Sequence, residues 1–160
     1  MQRHTQGRRL HLIDIENLTG QPRPNRSTVA VWSEIYHQSG LVRADDLCVL
    51  ACNHGAAIEA GLGWPNARLL VRSGPDGADN ALLDVLTDES VRDRFDEVVI
   101  GSGDGIFAEQ AAGLAADGLP TCIAYGVGKL SRRLELAASQ VVALGTLIPA
   151  TGVAASGSAA

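Results

Sequence analysis

Leu10-His11-Leu12-Ile13-Asp14-Ile15-Glu16-Asn17-Leu18 is the stretch that decides how this chain reads. Leu10, Leu12, Ile13 and Ile15 form the apolar run of a central parallel strand, buried on both faces, over about 9–15. The run ends by delivering an acid, Asp14, and an amide, Asn17. In open α/β sheets, ligands bind in the crevice beyond the carboxyl ends of the strands. Asp14 is therefore expected at the rim where chemistry takes place.

Working outward, apolar runs alternate with helical patterns. Further strands are expected at Leu47–Ala51, Ala67–Val71, Glu97–Gly101, Thr121–Tyr125 and, short, Val141–Leu144. Residues 19–26, with Gly20, Pro22 and Pro24, read as a loop, and Ser27 as the cap of a helix through Gln38. That helix would turn Val29, Val31, Trp32, Ile35 and Tyr36 inward. Helices follow at His54–Gly61, Ala78–Leu86, Asp104–Asp117 and Lys129–Ala138. This alternation predicts one doubly wound parallel sheet. The ordered domain is expected over 9–148, between a flexible basic arm at 1–8 and a disordered tail at 149–160 with no core-forming residue beyond Val153.

The totals agree with one core. The chain has 160 residues, 46% of them hydrophobic, and a formal net charge of −5. That charge excludes gripping nucleic acid by bulk electrostatics but leaves room for a local basic patch. Cys48, Cys52 and Cys122 have no framework spacing and read as buried thiols, which places the chain in a reducing cytoplasm. No segment reads as a signal peptide or membrane span, so no membrane partner is expected. His4, His11, His37 and His54 lack metal-ligand spacing and read as surface or packing residues.

Three acids converge. Asp14 ends the first strand, Asp79 opens the helix after the third, and Asp104 follows the fourth in Ile100-Gly101-Ser102-Gly103-Asp104-Gly105-Ile106-Phe107. Crowded carboxylates repel one another unless a cation sits among them. Mg²⁺ or Mn²⁺ is the natural guest, hard and oxygen-seeking. Each acid also has a plainer reading, as a cap or dipole partner at a helix start. Asp76 reads as a turn or cap residue, and Asp84, on another helix face, as a supporting or solvated one. The glycines at 101, 103 and 105 do not fit a dinucleotide loop, because Ile106 takes the last glycine's place.

These segments, with Gly77-Ala78-Asp79-Asn80-Ala81-Leu82-Leu83-Asp84 and the closing Tyr125-Gly126, Ser131, Leu134 and Ala138, resemble the NYN domain, a branch of the PIN-like nuclease superfamily. The resemblance spans about residues 9–145. It implies a PIN-like three-layer α/β/α fold with a central parallel sheet of order 3-2-1-4-5. It further implies divalent-metal-dependent cleavage of RNA, with Asp14, Asp79 and Asp104 as metal ligands or water-activating acids. Asn17, Ser102 and Asp84 would support them. The chain departs from the pattern where Ile106 and Ser139 stand at positions the family commonly fills with Asp; Glu109, about one turn beyond Asp104, is a candidate substitute.

RNA is the expected partner, and a homodimer remains open. Arg3, Arg8 and Arg9 form one basic group, and Arg68 and Arg72 a second. Lys129, Arg132 and Arg133 form a third, which is best placed to meet phosphates at the rim. The leading expectation is a metal-dependent ribonuclease. The alternative is a catalytically weakened RNA- or protein-binding module of the same fold, with Ile106 as the reason. A third reading, a phosphatase of the haloacid dehalogenase type, fails because Glu16 stands where a second Asp is required and Lys129 comes too late.

Overall fold

β1 (Arg9–Asp14) lies at the centre of a six-stranded sheet, hydrogen-bonded in parallel to β2 (Leu47–Cys52) on one side and β4 (Glu97–Gly101) on the other. β3 (Arg68–Val71) extends the sheet beyond β2, while β5 (Thr121–Tyr125) and β6 (Gln140–Ala143) extend it beyond β4. The order is β3-β2-β1-β4-β5-β6. The computed structural model describes residues 7–147. The expected order is present, with the short last strand added at the β5 edge.

Seven helices among the described residues connect and cover the strands: α1 (Ile15–Thr19), α2 (Arg26–Gln38), α3 (Ala57–Gly63), α4 (Gly77–Asp88), α5 (Val91–Arg94), α6 (Ala108–Ala116) and α7 (Arg132–Ala137). They make two outer layers, so the fold is a three-layer α/β/α sandwich. The two-residue period of β1 divides the core. Leu10 and Leu12 join Leu82, Val85, Phe107 and Leu134 on the α4–α6–α7 side. Ile13 joins Trp32, Tyr36 and Trp64 on the α2–α3 side. Asp14 follows the parity of Leu10 and Leu12, so it leaves the strand over α4.

Local sequence accounts for several differences from expectation. The first strand stops at Asp14, not at 15, because Asp14 accepts a hydrogen bond from the Asn17 N–H (3.2 Å) and caps α1. α1 thus replaces the start of the expected loop, and it ends on Gly20 in the left-handed region (φ 69°). Asn25, not Ser27, caps α2 by accepting from the Thr28 N–H (2.9 Å). Val31 points outward and is 54% exposed. Helices opening at His54 and after Asp104 begin as short 3₁₀ turns, the last helix starts at Arg132 rather than Lys129, and α5 was not anticipated.

Arg8, expected in the arm, is tied down: its N–H donates to Asp96 Oδ2 (3.1 Å) and its side chain lies over Phe95. The rest of the arm, 1–6 with Arg3 and His4, and the expected tail with Val153 lie outside the described residues. All three cysteines are buried and free. No described helix is long and apolar enough to cross a membrane.

Candidate carboxylate site at the sheet rim

Asp14 and Asp79 meet at the carboxyl end of β1. Asp14 is 5% exposed and Asp79 8%. Asp79 sits in the first turn of α4, and its carboxyl is hydrogen-bonded to that of Asp14. Two carboxylates cannot stand this close with both charged, so the pair holds a proton. Burial and the neighbouring Asp14 push Asp79 up to about 8, with Asp104 and Asp76 adding to the repulsion. Burial also raises Asp14, against the hydrogen bonds it makes with Asp79 and the Asn17 N–H. Asp79 Oδ1 is buried and accepts no hydrogen bond from any described donor.

Asp79 is not the helix cap. Asp76 holds that position in the left-handed region (φ 52°) and makes no capping bond with its side chain. Asp104 does act as a cap: its Oδ1 accepts from the Ile106 N–H (3.0 Å), while its own N–H donates to Ser102 Oγ (3.2 Å). It is half-buried, and its charge raises both members of the pair. Among the described residues, no three His, Cys, Asp or Glu side chains are arranged as a ready-made metal site. The arrangement is a protonated pair with a third acid turned aside to cap its own turn.

The supporting residues separate. Asn17 Oδ1 accepts from the Gly103 N–H (2.9 Å) and so ties the end of β1 to the end of β4. Ser102 is fully buried beneath Asp104. Asp84 is not brought to the pair; it is exposed and takes a hydrogen bond from Arg72 Nη2 (2.8 Å). Ile106 packs its side chain partly into the core. Glu109 does not stand in for the missing acid, because it lines a separate groove with Arg133 and Leu136, between α6 and α7. Ser139 takes nothing from the rim either. It pairs with Thr121 at the amino ends of β5 and β6, at the opposite end of the sheet.

The third basic group begins beside Asp104. The Ser131 N–H donates to Gly103 O (2.9 Å), and a Cβ on Gly103 would stand 2.9 Å from Lys129 O. Only glycine allows that approach. Lys129, Arg132 and Arg133 are all exposed. The other basic groups are engaged: Arg9 with Glu97 (2.6 Å), Arg68 with Glu89 (2.6 Å) and Arg72 with Asp84.

Four residues belong to the cleft that sequence reasoning did not place there. Glu16, Asn53, Arg72 and Asp76 line a cavity of about 140 Å³ with Asp14 and Asp79. Glu16 Oε1 accepts from the Asn53 N–H (2.6 Å), and burial, helped by Asp14, raises its pKa. The signal for Glu16 was its place two residues after Asp14. Asn53 and Arg72 follow directly on β2 and β3, and the rule that ligands bind beyond strand ends could have found both. Of the histidines, His11 is buried between Tyr36 and Asp46, a packing role.

No family model matches the chain, and no curated protein matches it in sequence. A solved structure of a protein of unknown function from Vibrio parahaemolyticus is similar, with a TM-score of 0.57 at 16% identity over 89% of this chain and 96% of that one. At that identity the likeness extends to the fold alone: an α/β chain with one parallel sheet between helical layers.

Proposed function

We propose that this chain is a divalent-metal-dependent ribonuclease of the NYN type, which hydrolyses RNA phosphodiester bonds at the rim formed by Asp14, Asp79 and Asp104. The observation that carries this is the buried Asp14–Asp79 pair, with Asp79 raised to about 8 and its Oδ1 lacking a donor. Buried carboxyls with strongly raised pKa values concentrate at functional sites. The donor set fits a hard cation such as Mg²⁺ or Mn²⁺: oxygens only, and a position now held by one proton. A cation bound by Asp14 and Asp79, with Asp104 beside them, would polarise the phosphoryl oxygen and help to ionise water.

The chain supplies the rest. Asn17, fixed to Gly103, holds the ends of β1 and β4 in register. Asp104 takes the proton of the attacking water. As oxygen bonds to phosphorus, the bond to the leaving ribose oxygen breaks; that oxygen takes a proton from solvent water, and Asp104 later returns its own to solvent. Lys129 and Arg132 hold neighbouring phosphates. The carboxyls line a small cavity of about 140 Å³, which suits an unpaired strand that can be splayed rather than a rigid duplex.

The test is incubation of labelled single-stranded and structured RNA with Mg²⁺, Mn²⁺ or chelator, beside an Asp104→Asn control. Metal-dependent cleavage that falls at least about 100-fold in the control supports the reading. The half-buried, core-facing Ile106 favours the second reading, a binding module of the same fold. Folded protein that binds RNA without cutting it would establish that one instead.

A further inference from the structure

Among the described residues, Arg72 is the one side chain that lines both the Asp14–Asp79 cleft and the outer groove alongside α4. It is also the only basic residue lining the carboxylate cleft among the described residues. Its backbone is anchored: the Arg72 N–H donates to Cys52 O (3.0 Å), and a Cβ on Gly77 would stand 2.6 Å from Arg72 O. The root of the side chain is thereby fixed against the helix that carries Asp79. Its tip is held weakly. One nitrogen, Nη2, reaches one oxygen of Asp84 (2.8 Å), and the two side chains are 47% and 56% exposed. Arg68 nearby is held more firmly, with Nη1 donating to both oxygens of Glu89 (2.6 and 2.8 Å).

An exposed ion pair of this kind contributes little, whereas a guanidinium on a phosphate can form two parallel charge-assisted hydrogen bonds. The cleft otherwise offers a polyanion mainly carboxylates. We infer that Arg72 is a phosphate-binding residue of this cleft: on arrival of the RNA strand its guanidinium leaves Asp84 and grips a phosphate on the β3 side of the Asp14–Asp79 pair. Asp84 is then a competitor that holds Arg72 in waiting. This inference rests on the ribonuclease reading and adds a second cationic contact, across the cleft from Lys129.

The experiment measures binding of a fluorescein-labelled single-stranded RNA by anisotropy in chelator, where a metal-dependent reaction cannot proceed. Cleavage kinetics of the same strand are followed in parallel in Mg²⁺. Arg72→Ala should bind about 10- to 100-fold more weakly and lose about one unit of salt slope. Arg72→Lys should recover only part of the loss, because a point charge lacks the fork. Asp84→Asn should bind about 1.5- to 5-fold more tightly, the worth of the exposed pair that no longer competes. Asp84→Asn should lose its gain in the Arg72→Ala background, which marks the exchange; a charge acting only through the general field would give the same gain in both backgrounds. Wild-type binding with no change in Arg72→Ala, or weaker binding in Asp84→Asn, overturns the inference and leaves the ribonuclease reading standing. Wild-type protein that neither binds nor cuts RNA overturns both.

Discussion

Asp14 and Asp79 reach each other from elements 65 residues apart in the chain and share a hydrogen bond at the floor of the rim cleft. Asp14 arrives because the two-residue period of β1 turns it over α4, and Asp79 because it lies in the first turn of that helix. Most of the chemistry expected of the molecule follows from this one approach.

Stability without added metal should fall as pH rises. Asp79 titrates near 3.8 when unfolded and near 8 when folded. Between those values the folded chain keeps a proton that the unfolded chain has released, so the stabilisation is full below about pH 4 and lost on passing about pH 8. Urea midpoints taken in chelator across that range should decline, and Asp79→Asn should flatten the decline. A midpoint that rises with pH in the wild type and is indifferent to Asp79→Asn would contradict the shared proton.

Divalent cations should reverse that trend at neutral pH. Mg²⁺ at about 100 times its Kd should add about 2.7 kcal/mol, which is on the order of 5–10 °C in Tm for a domain of this size. Scanning fluorimetry with and without chelator gives the answer independently of activity. Asp14→Asn and Asp79→Asn should each remove most of the gain. An equal gain in all three proteins would mean that the cation binds elsewhere.

Ile106→Asp restores the acid that the NYN resemblance implies. Cleavage should rise about 10-fold or more if that carboxylate is what limits the reaction. The cost is packing, since Ile106 lies partly in the core against the α4–α6–α7 side, and it should amount to about 1–2 kcal/mol. A stable variant with unchanged activity would show that the missing acid is not limiting.

The His11 network should matter to folding and not to catalysis. Tyr36 OH lies 2.8 Å from His11 Nδ1, and His11 Nε2 lies 3.0 Å from Asp46 Oδ2. Burial lowers the His11 pKa, against the raising effect of Asp46, so the ring stays neutral. Tyr36→Phe leaves a buried ring nitrogen unpaired and should cost about 1–3 kcal/mol while kcat stays unchanged. In an Asp79→Asn background, which removes the opposing trend, stability should drop as pH falls below about 6.5, because the unfolded histidine then binds the extra proton. A loss of kcat in Tyr36→Phe would move this network into the catalytic machinery.

The strands were the most legible part of the sequence. β4 and β5 run from Glu97 to Gly101 and from Thr121 to Tyr125 as the apolar pattern predicts, since buried parallel strands leave little ambiguity of period. The three acids were legible because Asp14 ends a strand, Asp79 opens the helix after one and Asp104 follows one within three residues. α1 was not, because five residues carry too little periodicity and the glycine and prolines after them read as loop. Arg72 was legible only as one more surface arginine. Its importance comes from which cleft it borders and how loosely Asp84 holds it, and neither depends on local sequence. Glu109 misled because helical spacing measures distance along one helix, whereas the groove it occupies is made by two.

The hydrogen bond from the Gly103 N–H to Asn17 Oδ1 spans 86 residues. During synthesis, a chain finished only through α4 already carries Asp14, Asp79, and the partner strand β2 for one side of β1. It still lacks β4, the neighbour that closes the other side, and with it the amide that fixes Asn17. The earliest strand made thus waits longest along the chain, from Asp14 to Glu97, for its second neighbour, a delay characteristic of non-local pairing. Nascent protein would therefore carry Asp14 and Asp79 before the rim between them and Asp104 exists, and the rim would close only once β4 and Gly103 have been made.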